Sequence, residues 1–303
     1  MPDTIWAEVV VPVGVADVDD VAALIASEVH AAAAGTEQRG DEVVFWVPQA
    51  AAAAALAEAQ GAVTRWQAGG LAVDPARVRI ATAMPAAEWR DAWKMYFRVS
   101  RLTRQFVVVP SWERFTPGPD DIAIDLDPGM AFGTGTHAST RLVLEEIQAL
   151  ADRQVTPARI LDVGCGSGIL AIAAAKRWPT ARCTAIDTDP LAIAATGDNA
   201  ANNRVADRIS AQARPLAMPG AAGCDDPGEP FDLVLANIQA HVLRELRAPL
   251  CANTAPGGTL ILSGLLTPQA QPLADEFVAA GLTCVHVRAS TDDPQWSCAV
   301  LVR

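Results

Sequence analysis

No stretch of about 18 or more uninterrupted apolar residues occurs anywhere in the 303-residue chain, which excludes a simple membrane-spanning helix. The opening MPDTIWAEVV lacks the basic-then-apolar order of a secretory signal, so a soluble, cytoplasmic protein with no membrane partner is expected. Cysteine occurs six times, at Cys165, Cys183, Cys224, Cys251, Cys284 and Cys298. None forms a C-x-x-C pair or stands near a histidine at ligand spacing, which argues for reduced structural thiols and against a metal site. Lysine is scarce, with only Lys94 and Lys176 beside many arginines. The alanine runs Ala31 to Ala34 and Ala50 to Ala55 reflect genome composition as readily as function and carry no weight here.

What is present in excess is acid, unevenly placed. Residues 1–60 hold ten acids against one base, Arg39, for a net charge of -9 within a total of -12. Residues 61–120 hold nine bases against five acids. An acidic opening disfavours the phosphate backbone of DNA and suits a basic protein partner; a solvated acidic surface that aids solubility accounts for it equally well. The bases Arg90, Lys94, Arg98, Arg101 and Arg104 read first as a solvated face, with RNA or an acidic surface as the alternative.

A chain of 31.7 kDa has room for two domains. Residues 1–68 read as a small α/β module: a strand over Ile5 to Val11, a helix from Asp17 to Ala33, a strand over Val43 to Val47, a helix through Ala50 to Gln60 and a last strand near Ala62 to Gln67. Residues 69–120 read as a connector with a helix over Glu88 to Tyr96 and a strand over Gln105 to Pro110. A helical run spans Arg141 to Leu150. From residue 159 onward, strands at 159–163, 182–187, 208–213, 231–236, 258–263, 283–289 and 296–302 alternate with helices at 168–177, 190–203, 239–252 and 268–280. That alternation predicts an α/β, Rossmann-like doubly wound sheet of seven strands over 121–303, closed by a terminal hairpin and preceded by the smaller, ferredoxin-like module.

The densest signal is ILDVGCGSGILAIAAAKRWPTARCTAID, residues 160–187. A strand ends in Gly164, Gly166 and Gly168, a helix begins at once, and Asp187 closes the next strand 23 residues after Gly164. Glycines let the backbone approach a ligand, and a carboxylate there can accept hydrogen bonds from both ribose hydroxyls. The turn is G-x-G-x-G with Asp162 two residues ahead of it, not the dinucleotide G-x-G-x-x-G, which speaks against a nucleotide-dependent oxidoreductase. Asp162-Val-Gly-Cys-Gly-Ser-Gly resembles the first motif of S-adenosylmethionine-dependent methyltransferases. A binding module that keeps the nucleoside pocket without turnover is the alternative from another class.

Open α/β sheets bind ligands beyond the carboxyl ends of their strands, where strand order reverses. Asn237 ends the fourth strand there, and its amide and neighbouring carbonyls can face an amine and a sulfonium; as a plain helix N-cap it would do neither. The loop from Asp127 to Thr140 is Gly- and Thr-rich, suited to closing over a nucleoside. His137 within it has no identifiable orienting carboxylate and reads as a base or a hydrogen-bonding residue. His30, His241 and His286 show no partner. After Asn237, Ile238, Gln239 and Ala240 offer no aromatic ring to stack on a flipped base, which disfavours nucleic-acid base methylation.

DPGMAFGTGTHAST, ILDVGCGSGILAIAA, AIDTDPLAIAATGDNAANN and FDLVLANIQAHVLRELRAPL, with EWRDAWKMYFRVSRLTRQFVVVPSWE ahead of them, together resemble the ribosomal protein L11 methyltransferase family in order and spacing. The resemblance covers residues 85–303, and the acidic module by position and strand-helix order. It implies S-adenosyl-L-methionine as cofactor, held by Thr140, Gly164, Asp187 and Asn237 with the turn at Gly166, and Asn237 as the catalytic residue. It implies lysine and N-terminal amines of ribosomal protein L11 as acceptors, with the N-terminal domain gripping that protein; lysines of another protein, or a small amine, are the alternative. Contact with ribosomal RNA stays open. The sequence departs from the family at His137-Ala-Ser-Thr140, where H-P-T-T is usual, and at Asn237-Ile-Gln-Ala, where N-I-L-A is usual.

Overall fold

The computed structural model describes residues 6–13, 21–22, 24–25, 29, 36–68, 71, 73–84, 98–126, 137–220 and 229–303. The helix read over Glu88 to Tyr96, most of that over 17–33, and the loop segment 127–136 lie outside them. The chain divides into two compact units, Met1–Phe97 and Arg98–Arg303.

In the first unit, strands β1 (Trp6–Pro12), β2 (Thr36–Arg39), β3 (Glu42–Pro48) and β4 (Arg79–Met84) form an antiparallel sheet in the order β2-β3-β1-β4. Val9, Val11, Val43 and Phe45 alternate along β1 and β3 and are fully buried on one face. Helix α1 (Ala52–Ala68) supplies the other half of this core. The last strand expected near Ala62 to Gln67 is therefore the second half of α1. Ala55, Ala59, Ala62, Val63 and Trp66 recur at steps of three and four, placing them on one buried helical face, and that burial overrides the local β-propensity of Val63, Thr64 and Trp66. The sheet's fourth strand is instead β4, inside the stretch read as a connector.

The second unit opens with a small sheet, β5 (Ser100–Arg101), β6 (Phe106–Val109) and β7 (Ile122–Asp125), in which β6 and β7 are parallel. The supposed connector thus gives strands to both units. Three of its bases are paired within the unit: Arg98 with Glu113 at 2.9 Å, Arg101 with Asp121 at 2.8 Å and Arg104 with Asp152 at 2.8 Å.

Helix α2 (Ala138–Asp152) leads into β8 (Arg159–Val163), α3 (Ile169–Arg177), β9 (Arg182–Asp187), α4 (Pro190–Asn202), β10 (Ile209–Ala213) and β11 (Phe231–Asn237). Then follow α5 (Ala240–Glu245), α6 (Arg247–Asn253), β12 (Thr254–Leu266), α7 (Thr267–Ala279), β13 (Thr283–Ala289) and β14 (Trp296–Val302). The seven strands β8–β14 lie in the order β10-β9-β8-β11-β12-β14-β13, parallel except for β14, which is antiparallel to both neighbours. The expected α/β doubly wound sheet is thus a mixed sheet with helices packed against it. One helix was expected over 239–252; the chain forms two, because Pro249 has no N–H for the Glu245 carbonyl and its ring crowds that oxygen. Apolar cores flank the sheet, Ile160, Ile172, Leu235 and Ile261 among the residues of one, and Leu161, Val234, Leu262 and Phe277 among those of the other. No helix among the described residues is long and apolar enough to cross a membrane.

Candidate active site

Strand order reverses at β8, with β9 on one side and β11 on the other, so the carboxyl ends of these three strands frame a crevice. The turn after β8 enters it with Gly164, Gly166 and Gly168 at φ of 70, 53 and 80°, a left-handed backbone that side chains other than glycine adopt only at a cost. Space is as limiting as conformation. A Cβ on Gly164 would meet Ile238 Cγ2 at 2.4 Å, and one on Gly168 would meet Thr196 Cγ2 at 2.8 Å.

The turn is tied down from every side. Gly164 and Cys165 donate their N–H groups to the Ile186 carbonyl at 2.9 and 3.1 Å. Thr196 Oγ1 donates to the Gly166 carbonyl at 3.0 Å, and Asn199 Nδ2 to the Ser167 carbonyl at 2.9 Å. Asp187 receives the Gly166 N–H on Oδ2 at 3.0 Å and the Asp189 N–H on Oδ1 at 3.0 Å. Each carboxylate oxygen keeps a lone pair for a ligand donor. Gly164, Gly166 and Asp187 are therefore brought together as expected, while Thr196 and Asn199, which hold the turn from α4, were missed by sequence reasoning. Their only sequence signal is the one-turn spacing that puts Thr196, Asn199 and Asn203 on the buried face of α4.

Asp162 lies beneath the turn, 1% exposed. Its Oδ2 accepts the Ala171 N–H at 3.0 Å, whereas Oδ1 is buried with no hydrogen-bond partner among the described residues. Burial pushes its carboxyl up to about 7, against the pull of the Ala171 N–H. Cys165 and Cys183 are buried beside it, and burial lifts both thiols to about 12, which keeps them protonated and inert.

On the other side, Asn237 ends β11 and donates from Nδ2 to Thr140 Oγ1 at 3.2 Å. Its Oδ1 makes no hydrogen bond among the described residues. The cap position of α5 falls to Gln239, whose exposed side chain makes no capping bond, so Asn237 is not the N-cap. Backbone at Ile238 is wedged against Gly264, where a Cβ would lie 2.7 Å from the Ile238 carbonyl oxygen. Thr140 is itself held: it sits in the first turn of α2, and buried Ser263 Oγ donates to the neighbouring Ser139 carbonyl at 2.9 Å.

His137 is the N-cap of α2. Its Nδ1 accepts the Ser139 N–H at 3.2 Å and contacts Ser139 Oγ at 2.8 Å, and its ring meets the Trp296 ring edge-on at 4.4 Å. Burial lowers its pKa, partly offset by Asp293. A nitrogen committed to a helix terminus is poorly placed to take a proton, which favours the hydrogen-bonding role. His286 has a partner after all: Nε2 lies 3.1 Å from Glu146 Oε1, which also accepts Arg288 Nε at 2.5 Å. His241 is exposed and His30 lies outside the described residues.

A glycine turn at the switch point, a carboxylate closing the next strand and an asparagine ending the strand on the far side define a nucleoside-binding methyltransferase domain. Comparison with known proteins narrows this. The profile of the ribosomal protein L11 methyltransferase family matches residues 11–303. The chain is 43% identical over 217 residues to a ribosomal protein L11 methyltransferase of Geobacter metallireducens, and 41% over 218 residues to that of Syntrophotalea carbinolica. Each alignment covers 72% of this chain and 67% of the relative. The crystal structure of the ribosomal protein L11 methylase from Lactobacillus delbrueckii subsp. bulgaricus superposes with a TM-score of 0.58 at 32% identity, covering 68% of this chain and 99% of that one. The chain belongs to the ribosomal protein L11 methyltransferase family, and its cofactor is S-adenosylmethionine. The site fits that group: a left-handed glycine turn at Gly164 and Gly166 that brings bare backbone to the crevice, acceptor lone pairs on Asp187, and Asn237 Oδ1 without a partner among the described residues.

Proposed function

We propose that the chain transfers methyl groups from S-adenosylmethionine to lysine ε-amino groups, and to an N-terminal amine, of ribosomal protein L11 in the cytoplasm. The observation that carries this reading is Asn237: fixed through Nδ2 to Thr140, it keeps Oδ1 to accept from an amine at the crevice that the Gly164 turn and Asp187 line. Residues 121–303, built on the seven-stranded doubly wound sheet that starts at Arg159, are the catalytic domain in this reading. The order β2-β3-β1-β4 supports a ferredoxin-like substrate-recognition domain at the N-terminus, whose net charge of -9 over residues 1–60 complements a basic protein.

The bound cofactor supplies an electrophilic methyl on a sulfonium. The chain's part is to bind, orient and exclude water. Thr140, Gly164, Gly166, Asp187 and Asn237 would hold the cofactor, and Asn237, fixed by Thr140, also meets the acceptor amine. A lysine with an ordinary pKa of ~10.4 must arrive neutral, and desolvation at a closed site beside a cation lowers that value. Alignment of amine and methyl can supply on the order of 7 kcal/mol of the barrier reduction. Among the described residues, no side chain is placed to act as a dedicated base.

Mass spectrometry of purified ribosomal protein L11 incubated with this protein and S-adenosylmethionine, alongside Asp187→Ala, tests the reading. Methyl increments on lysine-containing peptides that vanish with Asp187→Ala are expected. Calorimetric binding of the cofactor without any increment would retain the fold and reject this substrate.

A further inference from the structure

At the edge of the sheet opposite the glycine turn, where β8, β9, β10 and β11 begin, lies a second cleft of about 280 Å³. Arg159, Arg182 and Arg208 line it, with Thr184 and Ser210 side by side in β9 and β10. In a chain of net charge -12, three guanidinium groups around one cavity require an account.

Their partners supply it. Arg39, Arg101, Arg104 and Arg288 are each neutralised by a carboxylate at 2.9 Å or less. Arg182 and Arg208 are anchored by backbone carbonyls instead: Arg182 Nη1 donates to Asp207 at 3.3 Å, and Arg208 Nη1 donates to Ala175 and Trp178 at the end of α3. Neither has a carboxylate within ion-pair distance among the described residues. Arg159 donates from Nη2 to the Glu229 carbonyl at 3.0 Å and lies 4.9 Å over the Phe231 ring, with the exposed Glu229 carboxylate 3.8 Å away. One donor nitrogen on Arg182 and on Arg208 thus fixes its position, the positive charge of these two meets no carboxylate among the described residues, and the hydroxyl-bearing Thr184 and Ser210 share the lining. Asp207 is the acid on the lining.

We propose that this cleft is a phosphate-binding site, separate from the cofactor crevice. Arginine forks match tetrahedral oxyanions and are less costly to desolvate than lysine, and anchoring by neutral carbonyls orients them without cancelling their charge. The phosphate comes either from a small free ligand or from an RNA backbone.

Calorimetry of the full chain separates these, with pyrophosphate in one arm and a short RNA duplex in the other, at low and high salt. Binding that weakens steeply with salt and by at least about tenfold in Arg182→Gln/Arg208→Gln is expected. Tight binding of the duplex with weak binding of pyrophosphate assigns the phosphate to RNA; the reverse assigns it to a small ligand. Because Arg208 also caps α3, Arg182→Gln alone is measured as well, and unchanged S-adenosylmethionine binding certifies the fold of each variant. Absence of binding in both arms, or binding as tight in the folded variants as in the parent, overturns the proposal.

Discussion

Ile238 stands where Gly164 would carry a side chain, with its Cγ2 2.4 Å from that Cβ position. The acceptor strand end and the cofactor turn are therefore built as one contact. Gly164→Ala combines this clash with the cost of φ near 70°, on the order of 1–3 kcal/mol. Calorimetry should show S-adenosylmethionine affinity reduced about tenfold or more, with Ile238→Ala restoring part of it; affinity equal to the parent's would mean the turn relaxes freely.

Asp187 joins the turn to the loop after β9 through two backbone N–H groups. Asp187→Asn keeps the shape but loses the charge-assisted acceptors, each worth about 1.5–3 kcal/mol. A rise of tenfold or more in the KM for S-adenosylmethionine is expected, with kcat at saturation changed much less. A change confined to kcat would move Asp187 from binding to chemistry.

Asp162 makes stability fall as pH rises. Its folded pKa of about 7 lies above the unfolded value of ~3.9, so between those values the folded state holds a proton that the unfolded state has released. Stability then declines by roughly 1 kcal/mol per pH unit from about pH 4 to 7 and levels off above. Urea unfolding of Asp162→Asn against the parent should show the variant's relative stability improving from pH 5 to pH 8. A difference independent of pH would mean that Asp162 is ionised throughout.

Glu146, 6% exposed, binds α2 to β13 through His286 and Arg288. Glu146→Ala leaves the guanidinium half-buried without its main partner and should cost about 2–3 kcal/mol in unfolding free energy. Arg288→Met in the same background should add little. Additive losses in that double-mutant cycle would show the pair to be uncoupled.

His137 caps α2. His137→Asn should keep the cap and near-parental activity, while His137→Ala should cost about 1 kcal/mol of stability. The pH profile of kcat should be the same in all three. Loss of its acidic limb in His137→Asn would restore the histidine as a base.

The alternation from residue 159 onward was legible because parallel strands covered on both faces, such as Leu233–Ala236, read as unbroken apolar runs between helices. Gly164, Gly166, Asp187 and Asn237 were legible because turn chemistry and strand ends are local. The second half of α1 was not, since Val63-Thr64-Arg65-Trp66 carries strand-like residues whose helical face shows only against β1 and β3. The partnership of His286 with Glu146 spans 140 residues, and no spacing rule reaches that far. His137 posed a different difficulty: its ring serves a backbone N–H two residues away, a role that a histidine seldom signals.

Strand β14 occupies the slot between β12 and β13, so β13 is joined to the sheet only through it. If β14 slips out, two strand edges open at once, one on the parallel core and one on an orphaned ribbon, each a template for pairing with another chain. Self-association under mild heating should therefore begin at this end of the sheet, and it is governed by how fast a single strand reseats rather than by global unfolding.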